Sequence, residues 1–114
     1  MHKYNAKRTE VKLGKEIYKF DSKKEANRFL VLVQLQRMGK IDGLTLQPEF
    51  LLQPDFECDG QTIRPIKYIA DFSYVDTSTG EKIIEDCKGV ETDVFKIKRK
   101  LFLYRYPELK LKIT

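Results

Sequence analysis

The chain has 114 residues, with 22 Lys+Arg against 17 Asp+Glu, a formal net charge of +5 and a pI of about 9.2, a length that accommodates a single domain. Hydrophobic residues make up 41% and charged residues 34%, and no apolar run approaches the roughly 20 residues of a spanning helix, which argues against a membrane protein. Two cysteines, Cys58 and Cys87, and one histidine, His2, are too few for a structural zinc site, and a serine or cysteine nucleophile would have to rely on His2 at the terminus as its base.

In chain order, the start Met1-His2-Lys3-Tyr4-Asn5-Ala6 has no apolar stretch of the secretory kind, so the cytosol is the expected compartment, where a Cys58–Cys87 disulfide is disfavoured. Residues 10–13 and 16–20 flank Gly14-Lys15, a Gly-X pair that suits a type II′ hairpin turn. Ser22-Lys23-Lys24-Glu25 reads as a capping box. The helix it opens carries Ala26, Phe29, Leu30 and Val33 at helical spacing, and Gly39 stops it, which predicts a helix over about 22–38. Leu44 to Leu52 is apolar and extended with Pro48 inside it, as in an edge or irregular strand. Ile63 to Val75 is a second strand region interrupted early by Pro65, Asp76 to Gly80 a turn, and Glu81 to Lys88 a third strand ended by Gly89. From Asp93 to Arg105 the pattern turns helical, with Val94, Ile97, Leu101 and Tyr104 on one face and Lys96 and Lys100 beside it. Pro107 ends that helix, and 109–113 alternates as a last strand.

After the opening hairpin the order is therefore α-β-β-β-α-β. This is an α/β (α+β) domain with a mixed sheet flanked by helices, its arm over residues 1–20 and its core over 21–114. Charge is unevenly placed along it. Residues 1–24 hold eight basic groups against three acids, 41–63 hold five acids and no Lys or Arg, and 92–112 hold seven basic groups against two acids. Such a division suits a phosphate-binding surface beside a carboxylate site. It equally suits lysines that only keep a small domain soluble.

The stretches Tyr68-Ile69-Ala70-Asp71-Phe72 and Ile84-Glu85-Asp86-Cys87-Lys88-Gly89 carry the most chemistry. If Thr77–Gly80 is a four-residue loop, Asp76 faces Glu81 and the same register sets Asp71 directly opposite Asp86. Facing carboxylates with Cβ atoms roughly 5 Å apart repel one another unless something neutralises them, and a divalent cation does so. Lys88 shares the face of Asp86, two residues on. A one-residue slip would separate the two acids. Plainer readings stand beside these: Asp71 as an edge charge, Asp86 as a partner of Lys88, Glu25 as a helix cap, Cys87 as a small core residue, and Lys96, Lys98 and Lys100 as a solvated helix face.

In this order, Asp71 and Asp86-Cys87-Lys88, with Glu25 on the first helix, resemble the PD-(D/E)XK nuclease superfamily, which includes type II restriction enzymes and Holliday junction resolvases. Phe20-Asp21-Ser22-Lys23-Lys24-Glu25-Ala26, Leu46-Gln47-Pro48 and Thr92 to Lys100 resemble more closely a family of small phage and prophage proteins long catalogued as a domain of unknown function. Ala70 stands where the superfamily's name has Pro, and the third-strand acid is Asp rather than the commoner Glu. The resemblance implies a restriction-endonuclease-like αβββαβ core and an Mg²⁺- or Mn²⁺-dependent endonuclease of duplex or branched DNA in the host cytosol. It implies Asp71, Asp86 and the Cys87 backbone carbonyl as metal ligands, Glu25 completing the site, and Lys88 orienting the attacking water or stabilising the phosphorane-like transition state. Lys96, Lys98, Lys100, Lys3, Lys7 and Arg8 would then hold flanking phosphates. Junction resolution requires two symmetric nicks and so implies a homodimer. A DNA-binding or partner-binding module that kept the fold and lost the chemistry is the alternative.

Overall fold

Gly14 adopts φ +60°, a value open to glycine, and turns β1 (Thr9–Leu13) back onto β2 (Glu16–Phe20) in the expected antiparallel hairpin. The computed structural model describes residues 8–114. The predicted first helix forms as α1 (Lys23–Arg37); the Ser22 side chain accepts a hydrogen bond from the Glu25 backbone N–H at 3.1 Å, and Gly39 follows the helix at φ +75°.

Both long predicted strands are broken. The first becomes β3 (Ile41–Leu46) and β4 (Glu49–Gln53), and the second becomes β7 (Ile66–Ile69) and β8 (Phe72–Asp76). The two breaks face each other: Gln47 N–H donates to Asp71 O at 2.9 Å and Ala70 N–H donates to Pro48 O at 3.1 Å. Pro48 has no N–H for the ladder, and Gln47 takes φ +49°, so one long antiparallel ribbon bends sharply there. Beyond the bend it runs on into a small hairpin, β5 (Phe56–Cys58) and β6 (Gln61–Ile63), closed by Asp59 at φ +51° and Gly60 at φ +75°. That hairpin lies outside the strands predicted from the pattern, although Asp-Gly is the type I′ turn signal.

The main sheet has the order β10-β9-β8-β3, with β9 at Lys82–Asp86 and β10 at Lys110–Ile113. Strands β3, β8 and β9 are antiparallel, β10 runs parallel to β9, and β3 is an edge strand, as the sequence suggested. Each face is covered. On one, α1 and the opening hairpin enclose Phe20, Phe29, Leu32, Phe72 and Tyr74. On the other, α2 (Asp93–Arg105) and the β4–β7 ribbon enclose Leu52, Tyr68, Ile84, Phe95 and Phe102. The fold is thus a mixed α+β domain in which α1, β3, β8, β9, α2 and β10 follow the predicted α-β-β-β-α-β order.

The second helix keeps its predicted bounds but not the orientation that its apolar stripe suggested. Phe95 and Phe102 are its buried residues, packed on Tyr68 and Phe50, whereas Val94 (63%), Ile97 (61%), Leu101 (38%) and Tyr104 (88%) are exposed. Phe95 and Phe102 meet a bed of aromatic rings in Phe50, Tyr68 and Tyr106, and that matched packing decides which face turns inward.

Candidate active site

The β8–β9 register fixes the site. Phe72 faces Glu85, Ser73 faces Ile84 and Tyr74 faces Ile83, the register inferred from a four-residue turn after Asp76. Continuing it by one pair sets Asp71, at the bend, against Asp86, at the end of β9. Asp71 N–H donates to Glu85 O at 3.1 Å. The Asp71 carboxylate Oδ2 reaches past the end of the ladder and accepts the Cys87 N–H at 2.6 Å. Asp86 O accepts from Thr114 N–H and Lys88 N–H donates to Thr114 O, on the β10 side. Backbone alternation therefore turns the Cys87 N–H and carbonyl the other way, toward Asp71.

Asp86 is almost fully buried (1% exposed) and is held on two sides. The Tyr68 hydroxyl donates to its Oδ2 at 2.5 Å, and Lys88 Nζ lies 3.4 Å from the same oxygen. Lys88 is itself steadied by the Phe95 ring, with Nζ 4.7 Å from the ring centroid. Each carboxylate so uses Oδ2 on the protein, and the two carboxyl groups also interact with one another side chain to side chain.

Glu85 stands on the opposite face, fully buried (0% exposed). Arg28 of α1 grips it with Nε at 2.5 Å and Nη2 at 2.9 Å, and the Tyr74 hydroxyl donates to it at 2.6 Å. Burial and that glutamate push the Tyr74 hydroxyl up to about 12. Glu85 is a structural anchor between sheet and helix, and alternation leaves Asp86 as the acid that shares a site with Lys88.

Electrostatics single out the same place. Burial pushes the Asp71 carboxyl well above the carboxylate range, the adjacent Asp86 and Glu25 push it further, and the Cys87 N–H pulls it partly back. Glu25 is raised as well, first by burial, then by Asp21 and Asp86, with Lys88 opposing. Glu25, Asp71, Asp86 and Lys88 thus influence one another although they come from α1, the bend, the end of β9 and the residues just after it. Burial also raises the Cys87 thiol, which is packed on the α1 side as a core residue; Cys58 and Cys87 are both free thiols.

Among the described residues, no group of three or more His, Cys, Asp or Glu side chains is arranged to hold a metal ion. The donor set still has the chemistry of a hard cation: two facing carboxylates, a backbone carbonyl and a nearby third carboxyl. Mg²⁺ takes few protein oxygens and retains waters, so two carboxylates suffice to anchor it.

Two grooves flank the acids. One, of about 120 Å³, is lined by Tyr18, Phe20, Glu25, Gln47 and Asp71. The other, of about 240 Å³, is lined by Lys67, Tyr68, Lys88, Thr92, Phe95 and Lys98. Of the three helix lysines expected to meet phosphates, Lys98 lines this groove; Lys96 and Lys100 lie on the other flank of α2 and are exposed. Arg8 borders a separate hollow with Lys19 and Asp21, and Lys3 and Lys7 fall outside the described residues. Tyr68, Lys67 and Gln47 are the site residues to which the sequence assigned no role, although Tyr68 and Gln47 fall in stretches that it singled out. Tyr68 meets Asp86 across a bend, and nothing local in the sequence marks that contact.

No curated protein and no solved structure matches the chain. A family model described as protein of unknown function (DUF1064) matches residues 1–114. The match spans the whole chain, which therefore belongs to the DUF1064 family.

Proposed function

We propose that the chain is a metal-dependent endodeoxyribonuclease of the PD-(D/E)XK type, phage-encoded and active on duplex or branched DNA in the host cytosol. The observation that carries this reading is the meeting of Asp71 and Asp86 at the end of two antiparallel strands, with Lys88 Nζ 3.4 Å from Asp86 Oδ2. A buried and a half-buried carboxylate beside a single ammonium have no evident structural purpose, because burial, and after it the neighbouring Asp86, raises Asp71 at a cost to the fold.

Asp71, Asp86 and the Cys87 carbonyl would hold Mg²⁺ or Mn²⁺, with Glu25 at its outer edge. Such an ion, when bound, supplies a Lewis acid that lowers the pKa of a water and neutralises phosphate charge. The remaining work belongs to the chain. Lys88, steadied by Phe95, directs its ammonium at the non-bridging oxygens of a phosphodiester and offsets the charge that develops there. Tyr68 fixes the Asp86 carboxylate through its Oδ2. Lys67 and Lys98 line the approach and neutralise flanking phosphates without reading bases.

The test is cleavage of linear and branched DNA with Mg²⁺, Mn²⁺ or EDTA, with Asp86→Ala alongside. Metal-dependent cleavage lost in the variant is expected; cleavage that persists in EDTA or in Asp86→Ala refutes the assignment. The second reading, a binding module without chemistry, is favoured by one observation: the Lys88 ammonium is already paired with Asp86. DNA binding without turnover in either metal would select it.

A further inference from the structure

A hollow of about 460 Å³ opens on the α1 side of the main sheet, and Arg28, Lys40 and Lys112 converge on it from α1, the start of β3 and β10. It lies at the other end of β8 from the acid pair. Asp76 ends that strand and Asp71 precedes it, which separates them by roughly 16 Å at about 3.3 Å per residue. The walls are fixed. Thr77 Oγ1 lies 2.8 Å from Gly39 O and 2.9 Å from Lys40 O, which staples the β8–β9 turn to the end of α1. Arg28 is pinned by its two bonds to Glu85. Lys40 and Lys112 are exposed, and among the described residues neither meets a carboxylate within ion-pair distance. Leu35, Ile41 and Ile83 add an apolar lining, and Asp76 is the acid in it. Asp76 Oδ1 accepts from Ser78 N–H at 2.9 Å and from Ser78 Oγ at 2.7 Å. Those bonds first, and Lys110 to a lesser degree, hold its carboxyl below the usual range, so it is an acceptor at neutral pH.

We propose that this hollow binds a free nucleoside monophosphate, its phosphate on Lys40 and Lys112, a sugar hydroxyl on Asp76 and its base against Leu35, Ile41 and Ile83. The charge of Arg28 is spent on Glu85, so the two lysines carry the attraction for an anion. Two unpaired ammonium groups match a phosphate monoester, which holds nearly two charges at neutral pH, better than the single charge of a diester. A bare phosphate does not account for the lining, because Asp76 repels it. A sugar hydroxyl instead donates to that carboxylate, and the apolar side chains cover a base. The volume falls within the roughly 300–1,000 Å³ of small-molecule sites. Stapled walls also spare the ligand the cost of ordering them. The proposal does not depend on the nuclease reading, since Lys40, Lys112 and Asp76 stand apart from Asp71 and Asp86.

Titration calorimetry on the full chain in EDTA tests it, with adenosine 5′-monophosphate (AMP), adenosine, inorganic phosphate and 2′,3′-dideoxy-AMP as probes. AMP is expected to bind at least about tenfold more tightly than adenosine or phosphate. Dideoxy-AMP, which has no sugar hydroxyl for Asp76, should bind about tenfold more weakly than AMP. Lys40→Ala with Lys112→Ala should weaken AMP at least about tenfold with unchanged circular dichroism, because both side chains are exposed. Lys67→Ala with Lys98→Ala, in the groove beside Lys88, should leave AMP affinity unchanged. Four results would each overturn the proposal: no AMP binding at millimolar concentration, phosphate or dideoxy-AMP binding as tightly as AMP, full affinity in the Lys40 and Lys112 variant, or loss of affinity in the Lys67 and Lys98 variant.

Discussion

The Tyr68 hydroxyl donates to Asp86 Oδ2 at 2.5 Å and so ties the ribbon under α2 to the last residue of the central strand. Burial, followed by the Asp86 hydrogen bond, raises the phenol far above its ordinary value, so it remains a donor at every working pH. Asp86 is therefore oriented by a neutral group and charge-balanced by a cation, a division of labour that suits a ligand whose second oxygen has to stay available.

Tyr68→Phe removes that orienting bond and keeps the ring in its aromatic cluster with Phe50 and Phe102. Stability should fall by only about 1 kcal/mol, because Lys88 still meets the carboxylate. Mn²⁺ affinity and DNA cleavage should fall about 10- to 100-fold. Titration calorimetry alongside a urea melt separates the two effects, and an unchanged metal affinity would remove Tyr68 from the site.

Asp71 gives a pH signature in the metal-free protein. Its carboxyl is raised from 3.8 to about 8 on folding, mainly by burial. The folded state therefore holds this proton more tightly than the unfolded state. The resulting stability is fully present below about pH 4, declines as pH rises, and is lost by about pH 8. Asp71→Asn, which cannot ionise, should flatten that decline and melt higher than the wild type at pH 9. Mg²⁺ or Mn²⁺ should restore the wild type at pH 9 and leave Asp71→Asn unmoved. Thermal melts across pH 4–9, with and without metal, check each arm.

Neighbouring acids on β9 should respond in opposite ways. Arg28→Ala strands the fully buried Glu85 and should cost about 3 kcal/mol or more, while the fraction that folds keeps its cleavage rate. Asp86→Asn should shift stability by no more than about 1 kcal/mol and abolish cleavage. Denaturant midpoints paired with single-turnover rates tell the anchor from the ligand.

Lys98→Ala should weaken DNA binding to every sequence alike and lower the slope of log affinity against log salt by about 1. Lys96→Ala and Lys100→Ala should change that slope little, because neither residue lines the groove beside Lys88. Fluorescence anisotropy over a salt series distinguishes the three.

The sequence was most informative where local chemistry decides structure. Ser22 and Gly39 set the ends of α1 through a cap and a left-handed turn, and the turn after Asp76 carried the Phe72–Glu85 register and with it the Asp71–Asp86 pairing. It was least informative where distant parts compete. Periodicity showed that Val94, Ile97, Leu101 and Tyr104 share a face, yet which face is buried depended on Phe50 and Tyr68 waiting under the helix. Pro48 announced an irregular strand, but the matching break at Ala70-Asp71 follows only from the two strands being paired there. The roles of Tyr68 and Lys67 were hidden for the same reason, since both reach the site from beyond the bend.

The bend at Gln47–Pro48 and Ala70–Asp71 has a consequence for how such a chain can vary. Everything distal to β4 and β7 hangs from a fixed corner, and Asp71 sits on the proximal side of it. Residues 54–65 can therefore lengthen, shorten or change character without a strain that travels back to the acid pair. The corner decouples the interior that holds the acid pair from an appendage free to drift, so the two can change on separate schedules.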